Sequence, residues 1–395
     1  MADTILKHGL NNTIMTVPKL KLGLLIVFCL ILFSANAQTH PDLVVGQKHE
    51  HLKDSLKATE YPYILPILGK KAAKLGIDLP YSAGLGVNYV WQRSELIIEN
   101  LSVGFNHGPL HNLDEIIRFN SAVAEGSIVN FRPDAWVLPF LNVYGIIARS
   151  NTSTAVGFGI WVPNDIGKPD GDWREIANFN TKASFSGNTT VGFGLTPTMG
   201  VGGGWIALDM NFTWSDVSAL DKPVYVFNLG PRFGKTFRMK KPQQNIAIWV
   251  GGFRVKFASE TSGSLPISDF ISLDTLSMKV AQGQAKVTQA NDNLNTWWNG
   301  LTAAEKLNPV NKAKFDAGTR VITRASEFFE SADAALDRGK DATIQYSLDK
   351  RVKDAWNFIF GGQFQLNKHW MLRAEYGFLG SRKQFIGGLQ YRFGL

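Results

Sequence analysis

The residues best equipped for chemistry sit close together, in Gly104-Phe105-Asn106-His107-Gly108 with His111 and Asp114 just beyond. A Ser-His hydrolase needs a hydroxyl within hydrogen-bond reach of an imidazole, and no serine follows His107 at a suitable spacing. Histidines at i and i+4 share a helix face and can grip a metal. Here Gly108 and Pro109 lie between them and argue against a helix. The run His49-Glu50-His51 reads as a solvated polar loop. Gly200-Val201-Gly202-Gly203-Gly204 has the glycine density of a phosphate loop but lacks the Lys-Ser/Thr and the helix that must follow. It is expected to be a strand turn. No catalytic residue, metal site or cofactor is called for, and the chain is not expected to be an enzyme.

The elements that could position side chains begin after an export signal. Leu20 to Phe33 is apolar, Lys19 and Lys21 flank its start, and Ser34-Ala35-Asn36-Ala37-Gln38 follows. A basic n-region, a short apolar core and an Ala-x-Ala exit predict a signal peptide over 1–37. Met15 is the expected start of translation. The only cysteine, Cys29, falls inside the apolar core, so the mature chain would hold no disulfide or thiolate site. Removing 1–37 lowers the formal charge from +8 to +6. An exported basic chain is expected to meet lipopolysaccharide phosphates or anionic solutes rather than nucleic acid.

Beyond residue 83 the dominant signal is alternation in segments of about ten residues. In Gly204 to Trp214 the even positions Ile206, Leu208, Met210, Phe212 and Trp214 are apolar, while Asp209, Asn211 and Thr213 fall on the other face. Tyr225, Phe227, Leu229, Phe233, Phe237 and Met239 repeat the pattern, as do Trp356, Phe358, Phe360, Phe364 and Leu366. Aromatics crowd the strand ends, where a lipid-facing wall carries its girdles.

The last residues resemble the C-terminal β-signal of bacterial outer-membrane barrels, with Gly388 followed at three and five residues by Tyr391 and Phe393. Ile386 stands where that pattern usually has a polar residue, and Gly394-Leu395 extend past the usual final aromatic. The export signal, with Gln after its cleavage site, resembles those of Bacteroidetes-type Gram-negative bacteria. Together these features imply an all-β transmembrane barrel of about 12 antiparallel strands in the cell outer membrane, porin-like in type. The barrel-assembly machinery and outer-membrane lipid would be its partners.

Strands are expected at 84–92, 96–105, 127–132, 135–149, 154–162, 184–196, 204–215, 223–239, 245–258, 355–366, 369–379 and 385–395. An even count puts both barrel ends on the periplasmic side, with tight turns there at 240–242 and 367–368, and places His107 on that side too. The segments 163–183 and 259–354 would lie outside the cell. Two segments do not fit a bare barrel. Residues 38–83 form a periplasmic or plug segment, in which Ile64, Leu65, Ile67, Leu68, Ala72 and Leu75 oppose Lys70, Lys71 and Lys74 as in an amphipathic helix. Within the barrel region 84–395, the insertion 268–340 switches to helical spacing. Leu273, Leu276, Val280, Val287, Ala290, Leu294 and Trp297 step by three and four, with Gly283 in the missing place. Asn308-Pro309 breaks the run, and Ala317, Val321, Phe328, Ala332 and Ala335 continue it, so an antiparallel helical hairpin is expected. Trp297-Trp298 at its tip would either offer a face to a sugar or a partner or, equally well, bury the end of the seam.

The expected function is a passive channel for small hydrophilic solutes. Period-two spacing directs Arg232, Arg238, Arg254, Lys256, Arg373, Glu375 and Arg392 inward as pore-lining candidates. Arg238, Arg373 and Arg392 fall near periplasmic strand ends and would favour anions if they formed a basic ring. Alternatively, they pair with carboxylates and close the lumen. The competing function is a non-conducting surface protein whose hairpin 268–340 binds a partner, and a lipid-modifying enzyme is the minor one.

Overall fold

The computed structural model of the protein describes residues 61–165, 172–217, 220–241, 243–257, 260–269 and 271–395. The expected signal peptide and His49-Glu50-His51 lie outside the described residues. Backbone groups in lipid must all be paired, so a wall of alternating strands has to close on itself. Ten antiparallel strands do so: β1 (Ala83–Phe105), β3 (Ile117–Leu138), β4 (Leu141–Asp165), β5 (Asp172–Val201), β6 (Gly204–Asp216), β7 (Val224–Arg238), β8 (Asn245–Phe257), β11 (Trp356–Gln365), β12 (Trp370–Phe378) and β13 (Arg382–Phe393). Closure runs from Ala83↔Phe393 to Ser94↔Arg382 between β1 and β13.

The connections 139–140, 202–203, 239–244 and 366–369 lie at one end, and the first two are two-residue turns between paired strands. The glycine-rich run supplies the second: Gly202 and Gly203 take φ of 57° and 79°, as a tight hairpin turn requires. Both barrel ends and residues 61–82 lie at this same end. The long helical insertion between β8 and β11 lies at the other end, as does the three-residue connection 379–381.

Ten strands close the wall where about twelve are expected: the breaks expected at 93–95, 133–134 and 150–153 all fall inside strands, and the turn at 139–140 falls inside an expected one. Gln92-Arg93-Ser94-Glu95 sits inside β1, and Ser150-Asn151-Thr152-Ser153 sits inside β4. Each marks a stretch where hydrophilic residues occur along a continuous strand. The true turn is at 139–140. Because β1 runs unbroken, His107 reaches the hairpin end rather than the turn end. There it adopts a positive φ, and its N–H donates to Gln345 Oε1 at 2.7 Å.

Strands of nine to eleven residues suffice to cross a bilayer. β12 has 9 residues, whereas β1 has 23, β4 has 25 and β5 has 30. The surplus projects past the lipid as a continuation of the same sheet. Three further strands complete it: β2 (His111–Asn112), β9 (Glu260–Pro266) and β10 (Thr343–Val352). β10 pairs with Leu96–Phe105 of β1 and carries β9 on its far side.

On that sheet lies the hairpin, α2 (Leu273–Gly300) and α4 (Pro309–Leu336), joined through the short α3 (Ala303–Lys306). Ser272 caps α2, Asn308 caps α4 with Pro309 opening the helix, and Thr302 with Glu305 makes a capping box for α3. The heptad positions Leu276, Val280, Gly283, Val287, Ala290 and Leu294 are buried against Val321, Ala325, Phe328 and Phe329. The same core continues into Leu101 and Val103 of β1, Ile160 of β4 and Ile176 of β5. The hairpin therefore packs on the projecting sheet. Trp298 stacks on Phe315 with centroids 4.5 Å apart, closing the seam at the tip. No helix among the described residues is long and apolar enough to cross a membrane.

Residues 61–82 differ from the expected amphipathic helix. Only α1 (Gly69–Lys74) is helical, Ala72 and Ala73 are buried, and Ile64, Ile67, Leu68 and Leu75 are exposed. Backbone bonds replace an apolar face as the anchor. Ile64 N donates to Leu395 O, and Ile67 N donates to Val137 O.

Candidate functional site

The outer face of the wall presents Val129, Ile147, Phe233, Phe360 and Leu372 at mid-height, with Trp214, Tyr225, Trp356 and Trp370 near strand ends. An apolar belt around a closed antiparallel wall, with polar groups inside, defines a transmembrane β-barrel of the outer-membrane type. The candidate site is its interior.

Charged groups on three strands meet across the lumen. Arg232 on β7 donates from Nε and Nη2 to the two oxygens of Glu375 on β12, at 2.8 and 3.1 Å. Its Nη1 bonds Asp209 on β6. Arg373 Nη2 lies 3.3 Å from Glu375 and 3.9 Å from Asp209. Trp249 Nε1 on β8 donates to Glu375 Oε2 at 2.9 Å, and Thr196 on β5 donates to Asp209. The bidentate geometry and extra donors give each carboxylate oxygen at least one hydrogen bond, which is what lets buried ions persist. Gly361 leaves the room that the Trp249 ring fills, and Gly194 does the same for Tyr144.

Nearer the turn end is a second cluster. Arg392 on β13 lies 3.3 Å from Asp134 on β3, which also accepts from Asn142 at 2.7 Å and from Gln390. Arg132 lies with its Cζ 3.5 Å from the centroid of the Tyr144 ring. Between the clusters is a polar cavity of about 180 Å³, walled by Asn88, Arg132, Thr198, Gln363 and Gln390 among others.

Residues 61–82 fit over the mouth at that end. Arg238 bonds Asp78 at 3.2 Å, Arg392 Nε donates to Tyr81 O at 3.1 Å, and Trp136 N donates to Ser82 O at 2.7 Å. Tyr61, Tyr63, Tyr81 and His369 form a chain of ring contacts along the rim. Tyr61 Oη donates to Leu65 O at 2.6 Å, and burial together with the neighbouring Tyr63 pushes its pKa up to about 12.

Of the residues expected to line a pore, Arg232, Arg373, Glu375 and Arg392 lie in the lumen and Arg238 at its mouth. They form ion pairs rather than an uncompensated ring. Arg254 and Lys256 are exposed on the outer face, a correction to their expected inward placement. On β8 the inward positions are Asn245, Ala247, Trp249, Phe253 and Val255, and the two cations stand near the strand's upper end, where an outward charge reaches water. Arg254 lies 6.0 Å from the centroid of the Trp356 ring. Gly388, Tyr391 and Phe393 all lie on β13. Tyr391 faces outward, and the side-chain space of Gly388 is taken by Asn88. Aromatic character alone points Trp136, Trp205 and Trp249 toward lipid, whereas all three are buried on the inner face. Their parity, opposite to Ile206 and Ile248, was the available signal.

His111 lies 3.7 Å from Glu327 of α4, and Asp114 accepts from Leu101 N at 2.9 Å. Among the described residues no three His, Cys, Asp or Glu side chains gather as a metal site.

No family model matches the chain, and no curated protein sequence matches it either. Solved structures similar to it are outer-membrane proteins. The β domain of the Bordetella autotransporter Brka is 10% identical over 79% of this chain and 100% of that one, with a TM-score of 0.27. An outer membrane channel from Pseudomonas putida F1 is 9% identical over 80% and 96%, with a TM-score of 0.25. The translocator domain of the autotransporter NalP from Neisseria meningitidis is 10% identical over 78% and 89%, with a TM-score of 0.27. Superpositions this loose carry no functional argument.

Proposed function

We propose that the protein is a porin-like passive channel for small hydrophilic solutes, closed in this structure and without catalytic chemistry of its own. The observation that carries the reading is the polar cavity within the barrel, bounded at the turn end by residues 61–82 through side-chain and backbone hydrogen bonds. Release of that segment would break the Arg238–Asp78 pair and leave the arginine at the mouth. The lumen holds Arg132, Arg232, Arg373 and Arg392 against Asp134, Asp209 and Glu375, so an open state would favour anions. Lipopolysaccharide around the upper belt, and barrel-assembly machinery reading Gly388, Tyr391 and Phe393, complete the proposed partners.

Planar-bilayer recordings test this. Full-length protein should conduct rarely, and a variant lacking 61–82 should give steady, anion-preferring pores. Cation preference would reject the selectivity, and silence from both proteins would reject the channel. A second reading rests on the hairpin, whose core is continuous with the projecting sheet while its remaining faces meet solvent. On that reading the hairpin is a surface-binding element, and deleting 268–340 abolishes partner binding while leaving the barrel.

A further inference from the structure

The upper lumen contains a cation with no counter-charge among the described residues. Arg382, at the start of β13, is 0% exposed, and its Nε, Nη1 and Nη2 have no hydrogen-bond partner among the described residues. It takes part in no ion pair there. The Phe253 ring lies 5.0 Å from its Cζ. Two residues along the same face, Gln384 is 1% exposed with Nε2 unpartnered. On β11, Asn357 is 3% exposed and both its amide atoms are unpartnered.

These groups are neighbours. Asn357 pairs in register with Phe253, the residue under the guanidinium. A β-carbon on Gly377 of β12 would come within 2.6 Å of Asn357 Nδ2 and would also strike the Gln384 side chain, so the two amides converge over that glycine. Across the sheet, Ser94 pairs with Arg382 and its hydroxyl accepts from Gln92 at 3.2 Å. Asp354, on the adjoining connection, is committed to the backbone N–H of Ser381 at 2.8 Å.

A desolvated guanidinium is costly unless an opposite charge and hydrogen bonds meet it. Here a guanidinium and two amide groups, carried by β11 and β13, present unmet N–H donors in one enclosed region. We propose that Arg382, Gln384 and Asn357 form a binding site for a small monovalent inorganic anion of halide size. Full burial of the guanidinium favours a small anion over a bulky one, and the Phe253 ring lies against it. The site stands whether or not the lumen conducts.

Bromide is the probe, with gluconate as a bulky control at equal ionic strength. Purified full-length barrel should melt at a higher temperature in bromide, and the increment should saturate with concentration, as ligand linkage requires. Arg382→Met, which replaces the cation by an apolar side chain, should fold and lose the increment. Gln384→Leu should weaken it. Crystals grown in bromide should show an anomalous peak beside the Arg382 guanidinium. Equal melting of the wild type in the two salts, an increment retained by Arg382→Met, or wild-type crystals without that peak would each overturn the site. The wild-type measurements decide it even if a variant fails to assemble.

Discussion

The ring of Phe329 on α4 occupies the space that a side chain at Gly283 on α2 would need. The gap in the heptad is therefore a socket, and the two helices approach through it. Gly283→Leu should cost about 1–3 kcal/mol by overpacking, and Phe329→Ala about 3–5 kcal/mol by leaving a cavity. Both should raise protease cutting within 273–336 while the heat-modifiable barrel band stays unchanged. A barrel lost along with the hairpin would show that the two do not unfold separately.

Orientation follows from the connections, since outer-membrane barrels keep short turns in the periplasm and long loops outside. Protease added to intact cells should cut within 268–340. Protection until the outer membrane is opened would invert the assignment.

Arg232 is the shared partner of Asp209 and Glu375, so Arg232→Met leaves two buried carboxylates short of a counter-charge. Breaking such a pair typically costs about 3–5 kcal/mol. The melting midpoint of the barrel should fall accordingly, and adding Asp209→Leu with Glu375→Leu should restore most of it. A single variant as stable as wild type would mean that the network does not hold the wall.

Asn88 fills the side-chain space of Gly388 and is itself fixed by donating to Asn130 Oδ1 at 2.7 Å. Gly388→Ala should impair closure of β13 on β1, at a cost of about 1–3 kcal/mol. The double variant with Asn88→Ala should recover outer-membrane accumulation. Failure of the double variant would point to recognition of the glycine during assembly rather than to packing.

Docking of residues 61–82 should be lost in alkali. The Tyr61 phenol is held neutral, with its pKa raised from 10.0 to about 12 by burial and by Tyr63. Free segment loses this proton near pH 10 while docked segment keeps it, so docking is at full strength below pH 10 and declines as pH rises through about 12. Proteolysis of the segment across that window should rise with pH, and Tyr61→Phe should flatten the rise.

Alternation exposed the wall because each strand carries a strict apolar side, and heptad spacing exposed the hairpin because Gly283 kept the count. Strand ends were harder. Polar residues such as Arg93 and Asn151 mark hydrophilic stretches within long strands, and in a linear reading they look like turns. The lumen arginines were legible as inward residues, but their partners were not. Asp78 and Asp134 reach Arg238 and Arg392 from segments 160 and 258 residues away, a proximity no local period encodes. Arg254 and Lys256 share the outward parity of Ile246, Ile248 and Val250; charge alone suggests an interior position, whereas the period along β8 places them outside.

Because β1, β3, β4 and β5 run without interruption from the lipid belt into the outer sheet, no linker separates the hairpin from the membrane. At ~3.3 Å per residue, the 30 residues of β5 extend for roughly 100 Å along the strand, against roughly 30 Å for the 9 of β12. The rim is accordingly high on one side and low on the other, like the lip of a jug. The hairpin is braced against the tall side through the core it shares with β1, β4 and β5. On the channel reading proposed above, a solute arriving from outside would meet the lower rim over β11 to β13.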